Sequence, residues 1–231
     1  MVDCTQGVQT PFMERQQKNR FTEMKFVDIF PKTKTSKPED FVFFVSRKDK
    51  FGFMANWHLE ENGHYGEGNI LFRTAEHHLM WKKASVSNDE KSMSKILEAQ
   101  TPRTAKELGR KVSPLEEKVW KQQRYKAVYQ AVFDKFHQSP RLARALLGTG
   151  NRFIIEAADY DPIFGIGLCE YTDAMRPSSF RGCKFRNRTP QVTEKFDIAP
   201  ENWAGQNLLG IALMEVAGTL NSTKERYGHK N

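Results

Sequence analysis

Residues 113–137 read SPLEEKVWKQQRYKAVYQAVFDKFH, and this stretch decides the fold class. Ser113 is a capping side chain, Pro114 suits a first helical position, and Glu116 is placed to close a capping box. Behind them Tyr125, Val128, Tyr129, Val132, Phe133 and Phe136 recur at three- and four-residue steps. That period is helical, so the spacing predicts one long helix reaching about His137, with a stripe facing a core.

Outward from this stretch, start and stop signals for further helices follow. Ser139-Pro140 opens one that stops at Gly148-Thr149-Gly150. Thr101-Pro102 opens a short one ending at Gly109, Ser92 to Gln100 is another, and Thr74 caps a helix through about Ala84. A last helix, roughly Asn207 to Leu220, carries Leu209, Ala212, Leu213, Val216 and Leu220 on its apolar positions. Strand signals are few: Phe41 to Val45 (FVFFV), Arg152 to Ala157 (RFIIEA), and Asn69 to Phe72 as a brief strand or helix entry. They are not separated regularly by helices, which argues against a doubly wound sheet. The expected class is α+β, a mostly helical single domain with a few short strands.

Residues 1–40 are polar and proline-bearing and read as an N-terminal arm, 41–221 as the domain, and 222–231 as a polar tail. Residues 168–204 carry no clear period and read as a long excursion of the domain.

The chain has 231 residues, enough to bury a core without staples. Its apolar runs, such as Ile211 to Met214, are far too short for a membrane span. The N-terminus lacks a basic region followed by an apolar run, so it does not read as a secretory signal. Three cysteines at no framework spacing point to a reducing compartment, and the expected location is the cytoplasm. Lysine and arginine number 36 against 28 acidic residues, a formal charge of +8 that favours anionic partners. The surplus is densest between Arg176 and Arg188, where Arg181, Lys184, Arg186 and Arg188 alternate with Phe180 and Phe185 and no acid intervenes. Interleaved arginine and aromatic side chains suit contact with phosphates and stacking on bases, and they equally describe an exposed, solubilising loop.

Several constellations carry possible chemistry. In Thr74-Ala75-Glu76-His77-His78-Leu79-Met80-Trp81-Lys82-Lys83, Glu76 and Lys83 share one helix face two turns apart, where they either line a cleft wall or form a solvated surface. Adjacent residues point about 100° apart on a helix, so His77 and His78 do not easily share a metal; one is expected to pack inward. No metal site and no cofactor is expected. Gly148-Thr149-Gly150 lacks the Gly-Lys-Ser end of a phosphate loop, and helix termination is its first reading. The glycines of Gly165-Ile166-Gly167 allow a close backbone approach to a ligand, and Phe164 before them is either core or a stacking face.

Five ordered segments together resemble the NADAR family, which includes the YbiA-like proteins. They are Phe51-Gly52-Phe53-Met54-Ala55-Asn56-Trp57; Thr74-Ala75-Glu76-His77-His78 with Lys83; Ala99 to Lys106 with Gly109-Arg110; Leu147 to Gly150 leading to Glu156, Asp161 and Phe164 to Leu168; and Gly205 to Gly210 with Leu213 to Val216. Ala55, Trp57 and Phe164 depart from the family's usual serine, phenylalanine and tryptophan. The resemblance implies hydrolysis of an N-glycosidic bond to ribose. The expected reaction is removal of ADP-ribose from guanine bases in nucleic acid, reversing DarT-type modification. The alternatives are hydrolysis of phosphorylated ribosylamino-pyrimidine intermediates of riboflavin synthesis, and non-catalytic binding of ADP-ribose or nucleic acid.

Such cleavage passes through an oxocarbenium-like centre, which a carboxylate stabilises and a carboxylic acid helps to form. Glu76 is the first candidate and Asp161 the second. Lys83 orients a phosphate or sugar, or attacks an opened ribose. Asn56 and Asn207 are expected to bond the base or ribose, Trp57 or Phe164 to stack on the base, Thr149 and Gly150 to face a phosphate, and His77, Gly165 and Gly167 to line the same pocket. Arg181, Lys184, Arg186 and Arg188 are the expected nucleic-acid contacts.

Overall fold

The computed structural model describes residues 40–158, 160–167 and 205–227. Among these, four strands and six α-helices alternate irregularly: β1 Phe41–Phe44, β2 His64–Tyr65, β3 Leu71–Phe72, α1 Ala75–Val86, α2 Glu90–Glu98, α3 Pro102–Gly109, α4 Glu117–His137, α5 Pro140–Leu147, β4 Phe153–Glu156 and α6 Leu208–Tyr227. The class is the expected one, α+β and mostly helical.

The long helix α4 sits at the centre, between α1 and α6. Its anticipated stripe is the core: Tyr125, Val128, Val132 and Phe136 are buried, with Trp120, Ala127 and Ala131 beside them. Burial extends round more of the helix than one stripe, because α1 packs on one flank and α6 on another. The capping box at Ser113 does not form. Ser113 instead gives its backbone N–H to Asp89 Oδ2 at 3.1 Å, the Ser113–Pro114 bond is cis, and the helix starts at Glu117. The Asp89 side chain that captures Ser113 also caps α2, so the linker is tied to that helix end.

The other caps stand. Thr74, Thr101 and Ser139 each accept a backbone N–H from the first turn of α1, α3 and α5. Strand β1 pairs in parallel with β4, Phe41 opposite Phe153 and Phe44 opposite Glu156. Helix α6 then lies on β4. Gly210 makes that approach possible, since a Cβ there would sit 2.1 Å from the Ile154 carbonyl oxygen. Helix α6 continues to Tyr227, so residues 222–227 are helical where a tail was expected. No helix among the described residues is long and apolar enough to cross a membrane.

Candidate active site

The N-terminus of α1, the second turn of α3, the end of β4 and the loop after it bring four ionisable side chains together, Glu76, Lys106, Glu156 and Asp161. Glu76 lies in the first turn of α1, and its backbone N–H donates to the Asn56 carbonyl at 3.0 Å. Its side chain is buried, only 2% of the residue being exposed. Burial pushes the Glu76 carboxyl up to about 7; Asp161 adds to the rise, while Lys106, the Trp57 side chain and Arg110 oppose it. Glu156 ends β4. Its carboxyl is likewise pushed up to about 8 by burial, with Asp161 and Glu76 adding and Lys106 opposing.

Asp161 is locked from two sides. Its Oδ1 accepts the N–H groups of Ile163 and Phe164 at 3.1 and 3.0 Å, an Asx-type turn. Its Oδ2 pairs with the Lys106 ammonium at 3.4 Å. Burial alone pushes Lys106 down, but Glu76, Asp161 and Glu156 outweigh it and hold the ammonium above the usual lysine range. Burial is the main reason that Glu76 and Glu156 keep protons near neutrality, and the neighbouring Asp161 carboxylate adds to it while Lys106 offsets only part.

Among the described residues five buried side-chain polar atoms lack a hydrogen-bond partner, and three of them are Glu76 Oε1, Glu156 Oε2 and Asn56 Oδ1. Buried acceptors are seldom left without donors in a protein that has no ligand to supply them. Asn56 adjoins Glu76 through its backbone carbonyl, and its side-chain oxygen has no partner among the described residues.

Lys83 does not join this cluster. It lies two turns along α1, roughly 10 Å of helix rise from Glu76. Its ammonium donates to the Gly109 carbonyl at 3.0 Å and lies 6.0 Å from the Trp120 ring centroid. Burial lowers its pKa, and Glu117 opposes. Nearby Arg124 donates to Gln206 Oε1 at 3.0 Å and feels both Glu117 and Asp161, so Lys83, Trp120 and Arg124 form a flank between α1 and α4.

Several expected ligand contacts have other employment. His77 is inward, its Nδ1 on Thr74 Oγ1 at 2.8 Å within the cap of α1 and its Nε2 on the Ala99 carbonyl at 3.1 Å, which ties α1 to the end of α2. His78 is inward as well, stacked on Phe72. Asn207 is fully buried and brackets β4: its Oδ1 accepts the Glu156 N–H at 3.0 Å and its Nδ2 donates to the Ile154 carbonyl at 2.9 Å. It positions Glu156 and does not offer its amide to a base. Its φ of 52° is a conformation asparagine tolerates better than most side chains. Gly165 is small because its own chain requires it, a Cβ there meeting the Glu156 carbonyl oxygen at 2.8 Å. Gly167 adopts a φ of 66°. Phe164 is half-buried against the core, and its N–H serves Asp161.

Thr149 and Gly150 lie elsewhere. Thr149 Oγ1 donates to the Leu146 carbonyl at 2.7 Å and ends α5. Both residues line a cavity of about 410 Å³ between α5, β4 and α6, whose walls include none of Glu76, Lys106, Glu156 or Asp161. The basic positions Arg181, Lys184, Arg186 and Arg188 lie outside the described residues, as do 1–39.

Two members of the charged cluster were not assigned roles from the sequence. Lys106 follows the Thr101-Pro102 cap on the second turn of α3, and Glu156 closes the RFIIEA strand. Both lie inside the segments quoted for the family, and a strand ending in a carboxylate after Phe153, Ile154 and Ile155 is the available signal for Glu156.

Comparison with known proteins agrees with this architecture. Residues 42–221 match the model of the NADAR domain. The chain is 32% identical over 151 residues to an N-glycosidase of Acanthamoeba polyphaga mimivirus, covering 65% of this chain and 76% of that one. It is 29% identical over 158 residues to Protein irg-1 of Caenorhabditis elegans, covering 68% of this chain and 64% of that one. The NMR structure of the E. coli protein YbiA has the same fold, with a TM-score of 0.60 at 21% identity over 87% of this chain and 96% of that one. With a family model spanning most of its length and the same fold in YbiA, this chain belongs to the NADAR domain family.

Proposed function

We propose that this protein is an N-glycosidase that removes ADP-ribose from guanine bases in nucleic acid. The observation that carries the reading is the pairing of two buried carboxyls that hold protons near neutrality, Glu76 and Glu156, with the Asp161–Lys106 ion pair. The mimivirus relative named as an N-glycosidase supports the bond type.

In this mechanism water attacks the anomeric carbon of the ribose and the C–N bond breaks. The bonding electrons leave on the guanine nitrogen, which takes a proton from the Glu76 carboxyl. The Asp161 carboxylate faces the developing positive charge and takes the proton released by the water. Lys106 keeps Asp161 in place, and Asn56 Oδ1 accepts a hydrogen bond from the substrate. Trp57, half-exposed beside Glu76, offers a ring to the base. The net charge of +8 and the basic run Arg176 to Arg188 support an anionic polymer as substrate.

The test is incubation with single-stranded DNA carrying ADP-ribosyl-guanine, followed by mass spectrometry. Restored guanine with free ADP-ribose is the expected result. Intact adduct after prolonged incubation refutes the substrate. If the same preparation hydrolyses a phosphorylated ribosylamino-pyrimidine, the bond type stands and the substrate changes.

A further inference from the structure

We propose that Lys135 is a positioning residue for the Glu76 carboxyl, acting through the turn at Gly52–Trp57 that it anchors from inside the core. The proposal rests on Glu76 being the proton donor of the reaction above.

Lys135 is on α4 with no exposed surface at all. Its ammonium donates to the Ala55 carbonyl at 3.1 Å and lies 5.2 Å from the Phe136 ring centroid. Burial pulls its pKa down to about 8, and Glu60 opposes. A methionine would fill similar space without desolvating an ammonium, so packing alone gives no reason for the lysine.

The carbonyl it holds explains the choice. Ala55 ends the short 3-10 turn Gly52–Met54 and adopts an extended conformation, so its carbonyl is where the chain leaves the turn. The next carbonyl, that of Asn56, accepts the Glu76 N–H at 3.0 Å, one of the N-terminal donors of α1 that lack a partner within the helix. The next side chain, Trp57, reaches the Glu76 carboxyl. Three consecutive residues thus link a buried ammonium on α4 to the backbone and carboxyl of Glu76. The charged groups facing Glu76 from the other elements are Lys106 and Arg110, from α3 and its C-terminal end, and Glu156 and Asp161, from β4 and the loop after it.

The test is Lys135→Met, read by the titration of Glu76 itself. The protein carries 13C at glutamate carboxyls, and the Glu76 signal is assigned with Glu76→Gln. Loosening the turn weakens the Trp57 contact that holds the carboxyl down, so the Glu76 midpoint rises by about half a pH unit, the worth of one modest hydrogen bond. Glu215, a raised carboxyl bonded to Tyr125 Oη at 2.7 Å, is the control and stays in place. Turnover at the pH plateau falls about tenfold, as a misplaced acid requires. Lys135→Gln keeps an amide donor for Ala55, and its Glu76 midpoint falls between the other two; it replaces the methionine variant if that one does not fold. An unmoved Glu76 midpoint in the folded variant overturns the proposal, because a merely structural loss leaves that titration alone. The titration needs no substrate, so an error in the substrate class leaves this result readable.

Discussion

Replacing Glu76 by glutamine should stabilise the protein above neutral pH while removing its turnover. Glutamine keeps the shape of the side chain and its burial but cannot ionise. In the wild-type protein the folded carboxyl titrates at about 7 against an ordinary value of 4.5. Between those limits the unfolded chain is ionised and the folded one is not. Wild-type stability therefore falls relative to the variant as pH rises from 4.5 towards 7, and the gap is then constant. The shift corresponds to about 3 kcal/mol, an upper figure because the neighbouring carboxyls titrate together. For a domain of this size that is about 6–12 °C in Tm. The assay is thermal or urea unfolding of both proteins from pH 4.5 to 8.5, alongside turnover on ADP-ribosylated DNA. Parallel stability curves across that range would refute the raised carboxyl. Wild-type turnover in Glu76→Gln would refute its role as the acid.

Further tests address the residues around it. Lys106→Met removes the ammonium that, among the described residues, pairs with the cluster. The Glu76 carboxyl then titrates higher, the basic limb of the pH–rate profile moves up, and turnover drops about 100-fold; an unshifted limb would separate Lys106 from the site. Lys83 stands apart from the cluster, so Lys83→Ala should keep most of the turnover and lose only the brace between Gly109 and Trp120; crippled turnover at unchanged stability would return Lys83 to the machinery. Asn207→Ala leaves the Glu156 N–H and the Ile154 carbonyl without their side-chain partner, so urea unfolding should show a loss of about 2–4 kcal/mol; a neutral result would mean that the bracket is dispensable. Neutralising Arg181, Lys184 and Arg186 together should weaken activity on DNA and flatten its salt dependence, with less change on a small nucleotide; equal losses on both substrates would make the run a solubility feature.

The split between Glu76 and Lys83 shows how far helical spacing carries. Both lie on one face of α1, as their separation requires, yet a helix face two turns long meets more than one environment. Glu76 meets α3, β4 and the Asp161 loop. Lys83 meets the end of α3 and the start of α4. Periodicity along one helix contains no information about which neighbour covers which turn. The same limit hid Lys106 and Glu156, whose importance arises from three elements converging.

The glycines and Asn207 show a different limit. Close chain approach needs glycine whether the thing approached is a ligand or the protein's own backbone, and at Gly165 and Gly210 it is the backbone. An asparagine amide can face a base or bracket a strand, and at Asn207 both its ends are bonded to β4. The His77 ring is similar: hydrogen-bonding capacity was readable, and its partners were not.

Local chemistry in the sequence by itself determined the helices, most of their caps, the few strands and hence the mostly helical α+β class, because side-chain periodicity and capping act within a few residues. It also carried the family and placed Glu76, Asp161 and Asn56 among the candidates. Only the tertiary structure decided that Asp161 is held by Lys106 and that Glu156 joins Glu76 as a second buried acid. It also decided that Ser113 serves α2 instead of capping α4. Desolvation and charge pairing depend on what stands within a few ångströms in space, and that is settled when β4, α1 and α3 close on one another.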